Sequence, residues 1–234
     1  MTIIKIKKNW RRQLHIAIKI KKTHMKSKQL MIAVFSCCTA IFFGCTKEPL
    51  NNLNQEESRI YITNHDSTAD FSSYKTYSIS DSVVVLNNGG SYKDLTVVDQ
   101  AYIDAVNKYM QLKGYALVSK QSNPDIGVDV NRIYNTATGY YSYTDYWDYY
   151  GGYWDPYYWG YSGYNYYIPS SYGIYQITEG AMSIDMLDLK NAGTKNKIDV
   201  IWNGLIRGEG IFNASNADTI VKALFDQSTY LQSN

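Results

Sequence analysis

The chain has 234 residues, with 23 Lys and Arg, 21 Asp and Glu, three Cys and three His. Ten of the basic residues lie at or before Lys28, whereas all acidic residues follow Cys45, so the sequence after Cys45 has a formal charge of −8. Such an acidic region lacks the basic surface that nucleic-acid binding requires. Its single histidine, His65, cannot build a zinc site, and no cysteine is left for a disulfide or a thiol nucleophile. We expect no cofactor.

An uncharged, mostly apolar run of 15 residues covers positions 30–44. It is shorter than the about 20 residues of a membrane-spanning helix, and Lys26 and Lys28 precede it as in a secretory signal peptide. Residues 1–44 are therefore predicted to be a basic leader with a signal peptide. Two starts fit this pattern: Met25, which gives a compact signal, and Met1, which gives an unusually long basic region.

The apolar run ends in FFGC, where Gly44 precedes Cys45. This resembles a bacterial lipobox, although Phe42 stands where Leu is usual. We therefore predict that Cys45 is lipidated and anchors the protein to a membrane, and that residues 45–58 form a flexible polar tether. The competing interpretation is an ordinary cleaved signal followed by an unmodified cysteine.

The sequence predicts a single α+β domain over residues 59–234. Strand-like segments at 60–63 and 74–79 come first, and a turn at NNGG follows the apolar VVVL segment. The segment TVVD, from Thr96 to Asp99, fits a capping box at the start of an amphipathic helix. Gly114 is the residue type that ends such a helix.

Two further strands, YALVS and DIGVDVNRIY, follow this helix. In the second strand, apolar residues alternate with Gly127, Asp129 and Asn131. This alternation predicts a half-buried strand with its polar side in solvent.

Two long strands are predicted after position 180, and NAGTKN joins them as a hairpin loop. Asp185, Asp188 and Asp199 lie near this hairpin. Paired carboxylates can serve acid–base chemistry, but the pattern is more typical of solvated strand edges. Ser215 and Asp218 fit a second capping box, which opens a final amphipathic helix.

This order of elements favours a mainly antiparallel sheet with two amphipathic helices packed on one face. Between the strands of this α+β fold lies a Tyr/Gly-rich insertion at 139–175. Fifteen tyrosines lie between Tyr140 and Tyr175, more rings than this core requires. A segment of this length is usually functional or disordered.

Three interpretations of the insertion remain open: a binding surface, a structural extension over the sheet edge, and a mobile loop without a specific ligand. In the first, the ligand-binding residues are the exposed anchors Trp147, Trp154, Trp159, Tyr149 and Tyr157. Glycans or proteins of the cell envelope are the expected partners. Three aspartates among the rings, at positions 145, 148 and 155, disfavour an anionic partner.

Four motifs carry a resemblance to a known family: DFSSYKTYSI, LKGYALVSKQSNPDIGVDV, GAMSIDMLDLKN and VIWNGLIRGE. In this order they resemble the family called domain of unknown function 4136, over about residue 70 to the end. Asn203 departs from the charged or longer residue that is usual between Trp202 and Gly204. The resemblance implies an envelope lipoprotein of a Gram-negative bacterium, similar to those of the Bacteroidetes, and it implies no activity.

We therefore expect a non-catalytic lipoprotein of the outer membrane, with the aromatic segment as an interaction surface. The alternative is a carboxylate-based hydrolase acting on envelope glycans. Two carboxylates in one concave pocket near the rings would favour that alternative.

Overall fold

The computed structural model describes residues 53–87, 90–134, 140–142, 156–172, 174–176 and 180–233. The strands of this part of the chain are β1 Ile60–His65, β2 Thr76–Ile79, β3 Val83–Asn87, β4 Gly90–Asp94, β5 Ala116–Leu117, β6 Ile126–Ile133, β7 Tyr140–Ser142, β8 Tyr166–Tyr167, β9 Ile174–Gln176, β10 Ala181–Asp188 and β11 Ile198–Arg207. Its α-helices are α1 Val97–Leu112, α2 Ala192–Lys195 and α3 Ala217–Gln227. None of these helices has the length and apolar character needed to cross a membrane.

Nine of these strands form one sheet, in the order β1-β11-β10-β6-β2-β5. The long strands β6, β10 and β11 are antiparallel neighbours, as is β1 beside β11. Strands β2 and β3 both run parallel to β6, and β4 pairs with β3 as an antiparallel hairpin. Strand β8 runs parallel to the start of β11, and β7 and β9 form a separate antiparallel pair. The predicted combination of helices with a mainly antiparallel sheet is therefore confirmed, and the sheet also contains parallel pairs.

Helix α1 begins at the predicted capping box. The backbone N–H of Thr96 donates to Oδ2 of Asp99 over 2.7 Å, and the backbone N–H of Asp99 donates to Oγ1 of Thr96 over 3.3 Å. These contacts satisfy donors that a helix N-terminus leaves unpaired. Two residues beyond α1, Gly114 has a φ of +91°, which glycine tolerates and other residues rarely adopt. Both predicted ends of this helix are confirmed.

The second predicted capping box is wrong. Ser215 lies in a 3-10 turn, where its backbone N–H donates to Oδ1 of Asn213, and α3 begins only at Ala217. Asp218 instead faces α1: its Oδ1 lies 2.6 Å from Nζ of Lys108, and its Oδ2 accepts from the Tyr109 hydroxyl at 3.1 Å. The carboxylate therefore ties α3 to α1 rather than capping its own helix.

One apolar core lies between these two helices and the sheet. It contains the inward residues of α1 and α3 together with alternate residues of β6, β10 and β11. Trp202 is fully buried there, and its indole N–H donates to Oγ of Ser228 over 2.9 Å. A Cβ at Gly204 would come within 2.5 Å of the Trp202 ring, so this position requires glycine. Trp202 is therefore a residue of this core.

The prediction of a half-buried β6 is wrong, because all eight of its residues are buried. Asp129 and Asn131 have no exposed surface. The alternation in the sequence correctly separates two faces of the strand, but both faces of the sheet are covered. The second cover comes from the aromatic part of the chain.

Candidate functional site

Part of the aromatic segment forms a second apolar core with the sheet. Trp159 and Tyr172 are buried there against residues of β3, β6, β10 and β11 that alternate with those of the first core. Because side chains of a strand point alternately to opposite faces, this second core lies on the face away from α1 and α3. Residues 156–172 therefore cover the sheet rather than extend away from it.

Trp159 is the largest side chain that this segment contributes to the second core. It ends the 3-10 turn Pro156–Trp159 and has 6% of its surface exposed. A Cβ at Gly127 would lie 3.2 Å from the Trp159 ring, so the missing side chain lets the ring approach the strand. The indole N–H has no hydrogen-bond partner among the described residues.

Tyrosine hydroxyls tie this segment to the sheet. The Tyr161 hydroxyl donates to the carbonyl of Leu189 over 2.7 Å, and the Tyr172 hydroxyl donates to the carbonyl of Val200 over 2.8 Å. Burial raises the pKa of Tyr172 above its ordinary value, so this donor stays protonated. A phenylalanine could fill the same volume but would leave these buried carbonyls without the hydroxyl partner.

The exposed side of the segment borders an open groove of about 670 Å³. Its lining consists of Lys93 from β4, of Lys120, Gln121 and Asn123 around the turn after β5, and of residues 157–160 from the aromatic segment. Tyr157 is 73% exposed at this groove. The groove thus combines cations, amides and an accessible aromatic ring.

The ring of Tyr158 lies close to both lysines of the groove. Nζ of Lys120 lies 3.6 Å from the centre of the Tyr158 ring, and Nζ of Lys93 lies 5.3 Å from it. Both distances are within the range of cation–π attraction. The Tyr158 hydroxyl accepts from the backbone N–H of Asp81 at 3.2 Å, and burial raises its pKa to about 12. The ring is therefore fixed at both its face and its hydroxyl.

A row of polar side chains crosses four adjacent strands of the sheet on this same face. Asn64, Asn203, Asp185 and Asp129 lie directly opposite one another on β1, β11, β10 and β6. The last three have no exposed surface. An amide hydrogen bond of 3.3 Å runs from Nδ2 of Asn64 to Oδ1 of Asn203. The row therefore forms a buried polar line within an otherwise apolar layer.

Asp185 is the best-satisfied member of this row. Its carboxylate accepts hydrogen bonds from three side chains: Nδ2 of Asn203 at 2.7 Å, Oγ of Ser183 at 3.0 Å and Nδ2 of Asn131 at 3.1 Å. Three donors are a sound environment for an ionised carboxylate.

Asp129 is the opposite case. Neither of its carboxylate oxygens has a hydrogen-bond partner among the described residues. Burial raises its pKa well above the ordinary value, the neighbouring charge of Asp185 raises it further, and Lys93 opposes both effects. The two carboxyl groups therefore have different environments: Asp185 accepts three side-chain hydrogen bonds, and Asp129 accepts none from the described residues.

This pair does not line the groove. Asp129 and Asp185 have no exposed surface, and the described residues that line the groove include no carboxylate. In the described ranges, no three His, Cys, Asp or Glu side chains are grouped so that they could hold a metal ion.

The expectation of solvated carboxylates near the β10–β11 hairpin is wrong. Asp188 and Asp199 are buried, like Asp185. Nζ of Lys195, from the short helix α2 that replaces the predicted loop, lies 3.0 Å from Asp188 and 2.6 Å from Asp199, and Nζ of Lys197 lies 2.8 Å from Asp199. These charges hold the hairpin together, so Asp188 and Asp199 have a structural role.

The predicted site residues have different outcomes. Cys45, Trp147, Tyr149 and Trp154 lie outside the described residues, so their roles stay predictions. Tyr157 is exposed beside the groove as expected. The expectation of exposure is wrong for Trp159, since its ring packs against a glycine of the central sheet.

Sequence reasoning missed the other side of the groove. Lys93 lies on β4, and the 3-10 turn Lys120–Ser122 supplies a second lysine, yet neither segment has a motif that indicates binding. Asp129 and Asp185 did carry a signal, because each is an acidic residue inside an alternating strand. Which residues face them could be seen only from the register.

Comparison with known families gives one match that spans most of the fold. The model of the domain of unknown function DUF4136 matches residues 62–228. Comparison with curated proteins found no match.

Two solved structures are similar to the chain. A DUF4136 family protein from Bacteroides thetaiotaomicron has 25% sequence identity and a TM-score of 0.64, over 76% of this chain and 99% of that one. A PelC dodecamer from Paraburkholderia phytofirmans has 9% identity and a TM-score of 0.37, over 75% of this chain and 99% of that one. The second similarity is too low to support an argument about function or assembly.

Proposed function

We propose a function on the premise that this chain belongs to the DUF4136 family, whose description assigns no activity. The protein is a lipid-anchored, non-catalytic component of the bacterial outer membrane. Its aromatic segment, residues 139–175, provides an interaction surface for a partner in the cell envelope. The observation that carries the binding part of this proposal is the groove beside Tyr157.

The groove has the chemistry of a recognition surface. Tyr157 offers a large ring that is already outside the core, and tyrosine loses little side-chain entropy when it binds. The amides of Gln121 and Asn123 add donors and acceptors, and Lys93 and Lys120 add charge. Behind this surface, Trp159 fixes the segment to the sheet, so the binding residues sit on a rigid support.

Binding is favoured over hydrolysis because of where the carboxyl groups lie. A general acid must come within hydrogen-bond distance of the leaving-group atom that it protonates. Asp129 and Asp185 are buried, and neither is among the described residues that line the groove. A ligand in the groove therefore meets lysines, amides and rings rather than an acid–base pair.

The membrane anchor is proposed on the sequence around Cys45. One acyl chain gives only marginal membrane binding, whereas two or more hold a protein firmly. We expect mass spectrometry of the mature N-terminus to show a multiply acylated Cys45, and Cys45→Ser to release the protein from membranes. A mature protein that begins at any other residue would contradict the anchor.

The binding surface can be tested with the full chain in detergent micelles. We expect it to be retained by immobilised envelope polysaccharide or peptidoglycan, and Tyr157→Ala to weaken this retention severalfold while leaving the melting temperature unchanged.

Tyr167→Ala is the matched control, because Tyr167 is also exposed in the aromatic segment but does not line the groove. This variant should bind like the wild type. If Tyr157→Ala binds as well as the control, the groove is not the interaction surface.

A further inference from the structure

We propose that the groove beside Tyr157 binds a carboxylated sugar ring, as found in an acidic polysaccharide. This inference rests on the proposed binding function and adds the chemical class of its ligand.

The charge of the groove is opposite to that of the chain around it. The sequence after Cys45 has a formal charge of −8, yet the described residues that line the groove include Lys93 and Lys120 and no carboxylate. Asp81 approaches Tyr158 at the hydroxyl end of the ring, whereas Lys120 lies over its face. The groove is therefore a cationic site on an acidic protein, which favours an anionic ligand.

The lysines are positioned before any ligand arrives. Nζ of Lys120 lies 3.6 Å from the centre of the Tyr158 ring, and that ring is itself held by the backbone N–H of Asp81. An ammonium group has three N–H donors. One contact with the ring face therefore leaves Lys120 able to donate to a carboxylate, with less side-chain entropy to lose.

The neighbouring groups fit the rest of a sugar ring. The exposed face of Tyr157 offers an apolar surface for the C–H face of a pyranose. Gln121 and Asn123 carry amides, which both donate to and accept from hydroxyl groups. Asn123 adopts the left-handed conformation, with a φ of 51°, directly after the turn that carries Lys120 and Gln121. One compact turn thus presents a cation and two amides.

The size of the groove favours a short oligosaccharide over a folded protein. Its volume of about 670 Å³ lies within the ~300–1,000 Å³ that is typical of small-molecule sites. This ligand differs from the expectation based on the aspartates at positions 145, 148 and 155, which lie outside the described residues.

Isothermal titration calorimetry with the full chain in detergent tests the inference. The two ligands are a uronic acid tetrasaccharide and its carboxyl-reduced, neutral counterpart. We expect the acidic form to bind at least about tenfold more tightly, since a charge-assisted hydrogen bond contributes more than a neutral one. Raising the salt concentration should reduce this preference.

Three variants sharpen the test. Lys120→Gln and Lys93→Gln should each remove most of the preference for the acidic form without changing the circular dichroism spectrum. Lys222→Gln is the control, because Lys222 is an exposed lysine of α3 that pairs with Asp226. It should bind both tetrasaccharides like the wild type.

The outcomes separate this inference from the proposed function. If both tetrasaccharides bind equally and Tyr157→Ala abolishes binding, the groove is a recognition site but the carboxylate inference is overturned. If polyglutamate binds, Lys120→Gln weakens that binding, and neither tetrasaccharide binds, the ligand is an acidic peptide and the sugar inference is overturned. If no envelope polymer, sugar or peptide binds, the proposed function fails as well.

Discussion

Asp129→Asn is expected to stabilise the protein increasingly as the pH rises. In the wild type, Asp129 is buried with no hydrogen-bond partner among the described residues and lies opposite Asp185 on the neighbouring strand. Burial and that neighbouring charge raise its pKa, so its ionised form is costly in the folded state. An asparagine has the same shape, carries no charge at any pH and can donate to Asp185.

The sign of this effect follows from proton linkage. Because the pKa of Asp129 is higher in the folded than in the unfolded chain, the folded protein binds one more proton between the two values. The free energy of unfolding of the wild type therefore falls by about 1.4 kcal/mol per pH unit as the pH rises from the unfolded pKa to the folded one. Asp129→Asn should remove this slope.

Urea denaturation at several pH values between 5 and 9 measures the slope directly. Asp185→Asn is the informative companion, since it leaves Ser183, Asn131 and Asn203 with a poorer acceptor and should destabilise the fold at every pH in this range. Equal pH slopes for the wild type and Asp129→Asn would show that Asp129 is not the group that holds the proton.

Trp159→Ala is expected to lower the free energy of unfolding by about 3–5 kcal/mol, as truncation of a buried Trp does. The ring is almost fully buried against Gly127 and the side chain of Leu189, so its loss leaves a cavity on the second face of the sheet. Chemical denaturation monitored by circular dichroism gives this value.

Tyr157→Ala provides the matched comparison, because it lies two residues earlier in the same turn with its side chain in solvent. It should change the free energy of unfolding by less than about 0.5 kcal/mol. A loss for Trp159→Ala as small as that of Tyr157→Ala would mean that the aromatic segment only rests on the sheet and is not part of its core.

Local sequence patterns predicted the elements whose causes are local. The reciprocal contacts between Thr96 and Asp99 need only four consecutive residues, and the end of α1 needs only Gly114. The alternation in β6 likewise separated the apolar residues from Asp129 and Asn131. These features follow from backbone hydrogen bonding and from strand geometry, which neighbouring residues determine.

The errors arose where distant residues decide the environment. β6 appeared to have a solvent face because its cover, including Trp159, comes from a later segment with no helical or strand periodicity. The second capping box failed because Ser215 lies in a 3-10 turn that precedes the helix, and Asp218 pairs with Lys108 on another helix. The groove was missed because β4, the turn at Lys120 and the aromatic segment become neighbours only in the fold.

The polar row across β1, β11, β10 and β6 affects how the strands reach their correct register. In a sheet with one solvent-exposed face, apolar burial sets the strand register, because a slip of one residue turns the apolar side chains to solvent. Here both faces of the sheet are covered, so apolar burial alone discriminates poorly between the correct register and a register shifted by one residue. A one-residue slip of β10 would turn Asp185 toward the two helices and away from Asn131 and Asn203. The buried amides and carboxyls thus form their hydrogen bonds in only one register of the strands.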